Sequence, residues 1–281
     1  MKTRHDQLYI DNPTPSSEVV RRYRAVLYED DHDASLALVH YRGGEEEFLL
    51  GCEYCRSTDA GDRATGANIL GQLGWGEQHF REESIQILLP LLDDQDPLVI
   101  NCAAGALGYR VATSAIPGLL RHVPHSSSLV RFGVALGLSA FEDPGAVEGL
   151  IILASDKDRD VRDWAVFGLG TQLDADSEEV RDTLRHALDD LDDEIRGEAL
   201  VGLARRNDPV VVSALIEEWK RDRIGRLSIE AAVHAADSRL LPYLEEFNEM
   251  IDLEDDPYWA GWLARAVAAC QPKQNRVPGG S

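Results

Sequence analysis

The sequence is short of positive charge. Lys and Arg number 28 against 50 Asp and Glu, a formal net charge of -22 over 281 residues. Its long-range field therefore repels phosphate and anionic membrane surfaces and attracts basic ones. Nucleic-acid binding rests on neutralising phosphates with Lys and Arg, so nucleic acid is excluded as the default ligand. Long apolar runs are also missing. Nowhere do 18 apolar residues stand together, and the opening MKTRHDQLYIDNPTPSS has no apolar leader core. A soluble, cytoplasmic protein without a membrane partner is expected. The four cysteines, Cys52, Cys55, Cys102 and Cys270, are too few and too unevenly spaced for a disulfide framework, and reduced thiols are expected.

Motifs that carry chemistry are equally scarce. CEYC, residues 52–55, has half the spacing of a zinc site, but no second CxxC or paired His follows, and the βαβ context of a redox motif is absent. Buried packing of both thiols is the expectation. DKDRD at 156–160 opens like a calcium loop, yet Val161 stands where that loop needs Gly and Phe167 where it needs Glu. It reads instead as a helix-capping turn, as do DDQD at 93–96 and DDLDDE at 189–194. His122 and His125 straddle a Pro at a helix end, where a His complements the helix dipole. No nucleophile elbow, phosphate-cradling loop or Ser, His and Asp grouping can be assigned. No catalytic residue, metal or cofactor is expected from these motifs.

What the chain does contain is a repeat. The stretch DRDVRDWAVFGLG at 158–170 recurs as SLVRFGVALGLSA, DEIRGEALVGLAR, DPLVINCAAGALG and GDRATGANILGQLG. Anchored on Arg63, Ile100, Arg131, Arg162 and Arg196, then more weakly on Gly225 and Trp259, the steps run from 29 to 37 residues. Such a period means a stacked solenoid rather than a closed globule. Each of these B helices, rich in Ala and Gly, alternates with an A helix rich in Leu and Ile, such as SIQILLPLLDD or VEGLIILAS. The small residues at fixed offsets would let helices approach closely. The anchor arginine is expected to pair with carboxylates of its own or the next repeat and tie the stack together. The fold class expected is all-α: a right-handed α-solenoid of about seven helical hairpins. Residues 1–17 are expected as a flexible arm, 18–42 as a helical cap that EDDHD could divide, 45–270 as the array and 271–281 as a disordered tail.

The pattern D-x-x-V-R-x-x-A-x-x-x-L-G resembles that of HEAT-like repeats, the kind also found in phycobilisome lyases. More narrowly, DVRDWAVFGLG, EIRGEALVGLARR, SIEAAVHAADSRLLPYLEEF and GGEEEFLLGCEYC followed by ANILGQL are similar to the bacterial YibA-like HEAT proteins, over roughly residues 43–250. The repeat specifies fold far better than function, because such arrays bind many unrelated things. Some YibA-like proteins are encoded beside Rhs-type toxins, so the resemblance implies an immunity role.

In HEAT arrays the B helices generally line the concave face, which is expected to expose offsets one, two and five from each anchor. The binding strip read from these offsets comprises Asn68, Asn101, Phe132, Asp163, Trp164, Phe167 and Glu198, aromatics flanked by acids as in interface hot spots. Trp164 and Phe167 would serve equally as packing between repeats. Trp75 and Tyr109, at B-helix ends, are weaker candidates. The leading expectation is a non-catalytic module for a protein partner with a basic surface. The alternative is a chaperone-lyase or enzyme acting on a bound chromophore or peptide. A DNA-repair protein would need positive charge along the strip, and the only basic cluster is WKRDRIGR at 219–226.

Overall fold

The computed structural model describes residues 9–27, 36–221, 224–250 and 257–272. EDDHD and residues 273–281 lie outside them. Most of the described residues are helical, with no strand among them, and none of their helices is long and apolar enough to cross a membrane. The chain divides into two compact units, Met1–Ala165 and Val166–Ser281.

In the first unit α1 (Ser16–Ala25) and α2 (Leu36–Arg42) precede α3 (Glu45–Cys55) and α4 (Ala60–Gln72). Next come α5 (Arg81–Leu88), α6 (Pro97–Tyr109), α7 (Ile116–Arg121), α8 (Ser128–Leu138) and α9 (Pro144–Leu153). The division between the units falls inside α10 (Arg159–Phe167). The second unit contains α11 (Glu178–Ala187), α12 (Asp193–Arg205), α13 (Val211–Trp219), α14 (Arg226–Ala235), α15 (Leu241–Met250) and α16 (Pro257–Cys270).

Acidic turns start the B helices. Asp59 accepts from the Asp62 amide, Asp96 from Leu98, Asp158 from Asp160 and Asp192 from Glu194 and Ile195. Each satisfies an amide that the helix leaves orphaned, an effect of about 1 kcal/mol relative to Ala. These carboxylates are therefore engaged as caps, and among the described residues no group of three or more His, Cys, Asp or Glu is arranged to hold a metal.

The core is a row of completely buried side chains in each unit: Leu70, Leu107 and Leu138 in the first, Leu169, Leu184, Leu203 and Leu215 in the second. Burying one such Leu contributes roughly 1.5–3 kcal/mol. Between α6 and α8 the backbones touch, for a Cβ on Gly137 would lie 2.6 Å from the Ala104 carbonyl oxygen. Any side chain there would drive the two B helices apart, so the small-residue positions set the stacking distance.

Residues 12–16 are held more tightly than their Pro and Ser content suggests. Arg42 donates to the Asn12 and Thr14 carbonyls and to Ser16 Oγ, and that hydroxyl donates to Glu47 at 2.6 Å. Helix α1 accordingly begins at Ser16, inside the stretch expected to be a flexible arm. Composition reads the segment as loop; the fastener is an arginine 26 to 30 residues away.

Candidate binding surface

The anchor arginines form rungs. Arg63 closes a bidentate pair on Asp94 at 2.7 and 2.8 Å while Nη1 donates to the carbonyls of Ser57 and Thr58. Arg131 repeats this on Asp156 at 2.6 and 2.8 Å, with His125 and Ser126 as carbonyl partners. Arg196 does the same with Glu218 at 2.9 Å and the carbonyls of Asp190 and Leu191. One guanidinium thus fixes the turn before its own helix and the next repeat together, using the fork geometry that Lys lacks. These hydrogen bonds from Arg63 hold the Asp94 carboxyl below its ordinary range. The rungs are structural, and they fix which B-helix positions remain for a partner.

Those positions are fewer than the offsets suggested. Ala64, Thr65, Cys102, Gly105, Gly133, Gly197 and Val201 are buried, because at this spacing the offsets face the neighbouring B helix. A Cβ on Gly133 would meet Asn101 Cα at 2.7 Å, and one on Gly197 would meet Leu227 Cβ at 2.7 Å. Glu198 requires correction. It is buried, and its carboxylate accepts a 2.6 Å hydrogen bond from Thr171 Oγ1, so it belongs to the packing of the second unit and not to an exposed strip. Asn68 is half-buried and its amide donates to the Tyr23 hydroxyl at 2.8 Å.

Three of the expected residues do come together in the first unit. Phe132 on α8 and Trp164 on α10 meet edge to face, with ring centroids 5.9 Å apart and planes at 87°. Asp163 lies beside Trp164 and bonds Arg159 at 3.5 Å. All three side chains are half-buried, as is Asn101, which touches the backbone next to Phe132 at Gly133. Phe167, also half-buried, falls in the second unit.

The remaining sequence features settle into structural roles. Cys52 and Cys55 are buried, and burial pushes the Cys55 thiol up to about 12, leaving no thiolate for chemistry near neutrality. His122 bonds the Leu92 carbonyl at 2.8 Å. In the basic cluster Lys220 pairs with Glu217, Arg221 with Glu218 and Arg226 with Glu230, so the charge of these three is locally answered, while Arg223 lies outside the described residues.

Trp75 and Tyr109, the weaker candidates from the sequence, share one surface feature. They are 51% and 45% exposed and line one slot with Gly71, Gln72, Gly76 and Gln78. The only sequence signal was a Trp between two glycines at a helix end.

Comparison with known proteins agrees with this architecture. The profile of HEAT repeats matches residues 85–170 and 147–235. YibA of Escherichia coli K12 is 30% identical over 228 residues, which cover 77% of this chain and 81% of that protein. YibA of Escherichia coli O157:H7 matches equally. The crystal structure of the Escherichia coli YibA protein superposes with a TM-score of 0.63 at 26% identity, covering 96% of this chain and 97% of the other. Stacked Ala- and Gly-rich helices, the profile match and the extent of the YibA likeness lead to one assignment: the chain belongs to the YibA-like family of HEAT-repeat proteins.

Proposed function

We propose that the chain is a non-catalytic scaffold that holds a protein partner with a basic surface, and that Asn101, Phe132, Asp163 and Trp164 form its contact face. The observation that carries this reading is the half-exposed Phe132 and Trp164 pair on adjacent B helices. Most B-helix positions around it are small and buried. Large aromatic side chains beside an acidic group are the composition of interface hot spots, and the net charge of -22 favours a basic partner. The family resemblance supplies the concrete version, neutralisation of an Rhs-type toxin.

The test is affinity capture from the native host followed by titration with the purified partner. Trp164→Ala should weaken binding at least about tenfold, as truncation of an aromatic hot spot does, and Phe132→Ala should weaken it less. Raising the salt concentration should slow association. Equal affinity of wild type and both variants would remove the face from the reading. For the immunity version, co-expression with the neighbouring toxin should protect cells, and Trp164→Ala should abolish protection.

A further inference from the structure

A second surface lies away from the Phe132 and Trp164 pair, at the carboxyl-terminal ends of α4 and α6. Its walls are Trp75 and Tyr109, its lining is completed by Gly71, Gln72, Gly76 and Gln78, and its volume is about 310 Å³. We propose that this slot receives an extended, proline-containing segment of a partner protein, flanked by basic residues.

The walls are held in place from behind. Tyr9 stacks on Tyr41 at 4.8 Å and 18°, and Tyr41 stacks on Trp75 at 5.4 Å and 14°, which makes the indole the last ring of a near-parallel pile. The loop that presents it is clamped. The Gly74 amide donates to the His40 carbonyl at 2.9 Å, and the His79 ring bonds the Gly43 carbonyl at 2.8 Å. Trp75 and Gln78 sit at φ of 45° and 49°, a left-handed conformation that non-glycine residues keep only when the surroundings impose it. A slot built this way loses little freedom when it is filled.

Its chemistry selects the occupant. Every lining residue is neutral, so neither a bare cation nor an anion finds a counter-charge inside. Two flat rings around a glycine floor suit a rigid apolar ring. A polyproline II segment offers such rings, has no internal hydrogen bonds, and leaves its carbonyls free for neutral amide donors such as Gln72. Gln78 is already oriented, with its amide donating to the Tyr109 carbonyl at 2.9 Å. Outside the slot, Glu77, Glu82 and Glu83 are exposed on the loop and the first turn of α5, with Glu77 bonded to the His79 ring and Glu82 paired with Arg81. The net charge of -22, more than this partly paired rim, favours basic flanks on the ligand.

Fluorescence anisotropy tests this with a labelled hexaproline peptide carrying two arginines at each end, against a control of the same charge with serine in place of proline. Wild type should bind the proline peptide at least about tenfold more tightly than the control. Trp75→Ala should erase that preference. So should Gly76→Leu, which adds bulk to the slot's lining at a position where an added Cβ meets nothing within 4 Å, once circular dichroism shows that the variant folds. Trp164→Ala should keep the preference, which separates this surface from the one proposed above. Equal binding of both peptides, no saturation at millimolar peptide, or a preference that survives both slot variants would overturn the proposal. Concentration-dependent self-association that Trp75→Ala removes would assign the slot to a second copy of the chain instead.

Discussion

Two arginines stand ten residues after the anchor positions of their repeats, Arg110 after Ile100 and Arg206 after Arg196, and their surroundings differ. In the second unit Arg206 is buried and every guanidinium nitrogen is spent on carbonyl oxygens. Nε and Nη2 reach Ala175, Nη1 reaches Gly202 and Gly170, and Nη2 also takes Leu169 at 2.7 Å and Leu173 at 3.1 Å. In the first unit Arg110 is 1% exposed, donates through Nε to the Leu70 carbonyl at 2.6 Å, and leaves Nη2 without a partner. Leu70 and Leu169 occupy the same repeat position, so the starting contact is shared. The loops that follow make the difference. A π-helical turn at Gly168–Gln172 and an extended Leu173 bring further carbonyls over Arg206. Around Arg110 the loop instead turns through left-handed Gly74, Trp75, Gln78 and Phe80 and displays the indole outward. The same residue in the same place becomes a clasp in one unit; in the other the loop presents an aromatic surface and leaves the guanidinium under-used.

The largest effect that would break this comparison is at Arg206. Arg206→Leu strips the carbonyls of Leu169, Leu173 and Ala175 of their donor inside a buried turn. Equilibrium urea unfolding should show a loss of about 3–5 kcal/mol, the range for dismantling a buried hydrogen-bond network. A loss under about 1 kcal/mol would mean that the π-helical turn holds itself and the clasp is incidental.

Much of this architecture was legible in the sequence, for reasons particular to its residues. Arg63, Arg131 and Arg196 recur at nearly constant spacing beside small residues, and a spacing of that kind survives translation into rungs and stacked helices. That Arg196 pairs with Glu218 was not legible, because the carboxylate lies on the next A helix and not in an acidic turn. The exposed offsets were misjudged at Glu198 for a related reason. Periodicity fixes which residues share a helix face, whereas the closeness of the neighbouring B helix decides whether that face remains open. Trp75 read only as a weaker candidate because its exposure depends on a left-handed backbone at a tryptophan, which no local propensity favours.

A smaller effect sharpens the comparison in acid. His40, beside Arg110, is 5% exposed, and burial chiefly lowers it from 6.5 to about 4, with the Arg110 charge adding to that and the hydrogen bond to the Asn68 carbonyl opposing it. Its folded value is depressed, so as the pH falls the unfolded chain takes up the proton first. The stability it contributes is complete above about pH 6.5 and declines as the pH falls towards 4, by roughly 3 kcal/mol in all. Asp94, held low by Arg63, begins to lose its contribution only below its ordinary value of 3.8, so the two windows separate. His40→Gln should flatten unfolding free energy between pH 6.5 and 4. An unchanged slope would place the acid sensitivity elsewhere.

The smallest effect is the most diagnostic. Arg110→Leu exchanges a buried guanidinium that lacks a full set of partners for an apolar side chain, and exchanges of that kind are commonly neutral or mildly stabilising. Stability at pH 7 should change by no more than about 1 kcal/mol in either direction, far less than at Arg206. Removing the charge should also raise the His40 midpoint, followed by NMR, slightly above about 4, since burial, the chief cause of its depression, remains. A penalty as large as that of Arg206→Leu would show that Arg110 has a second strong contact and that the loop around Trp75 is held by it. A small penalty with a shifted His40 would mean that the loop owes its shape to Gly43, Gly74 and His79, leaving the aromatic surface free to vary without cost to the stack beneath it.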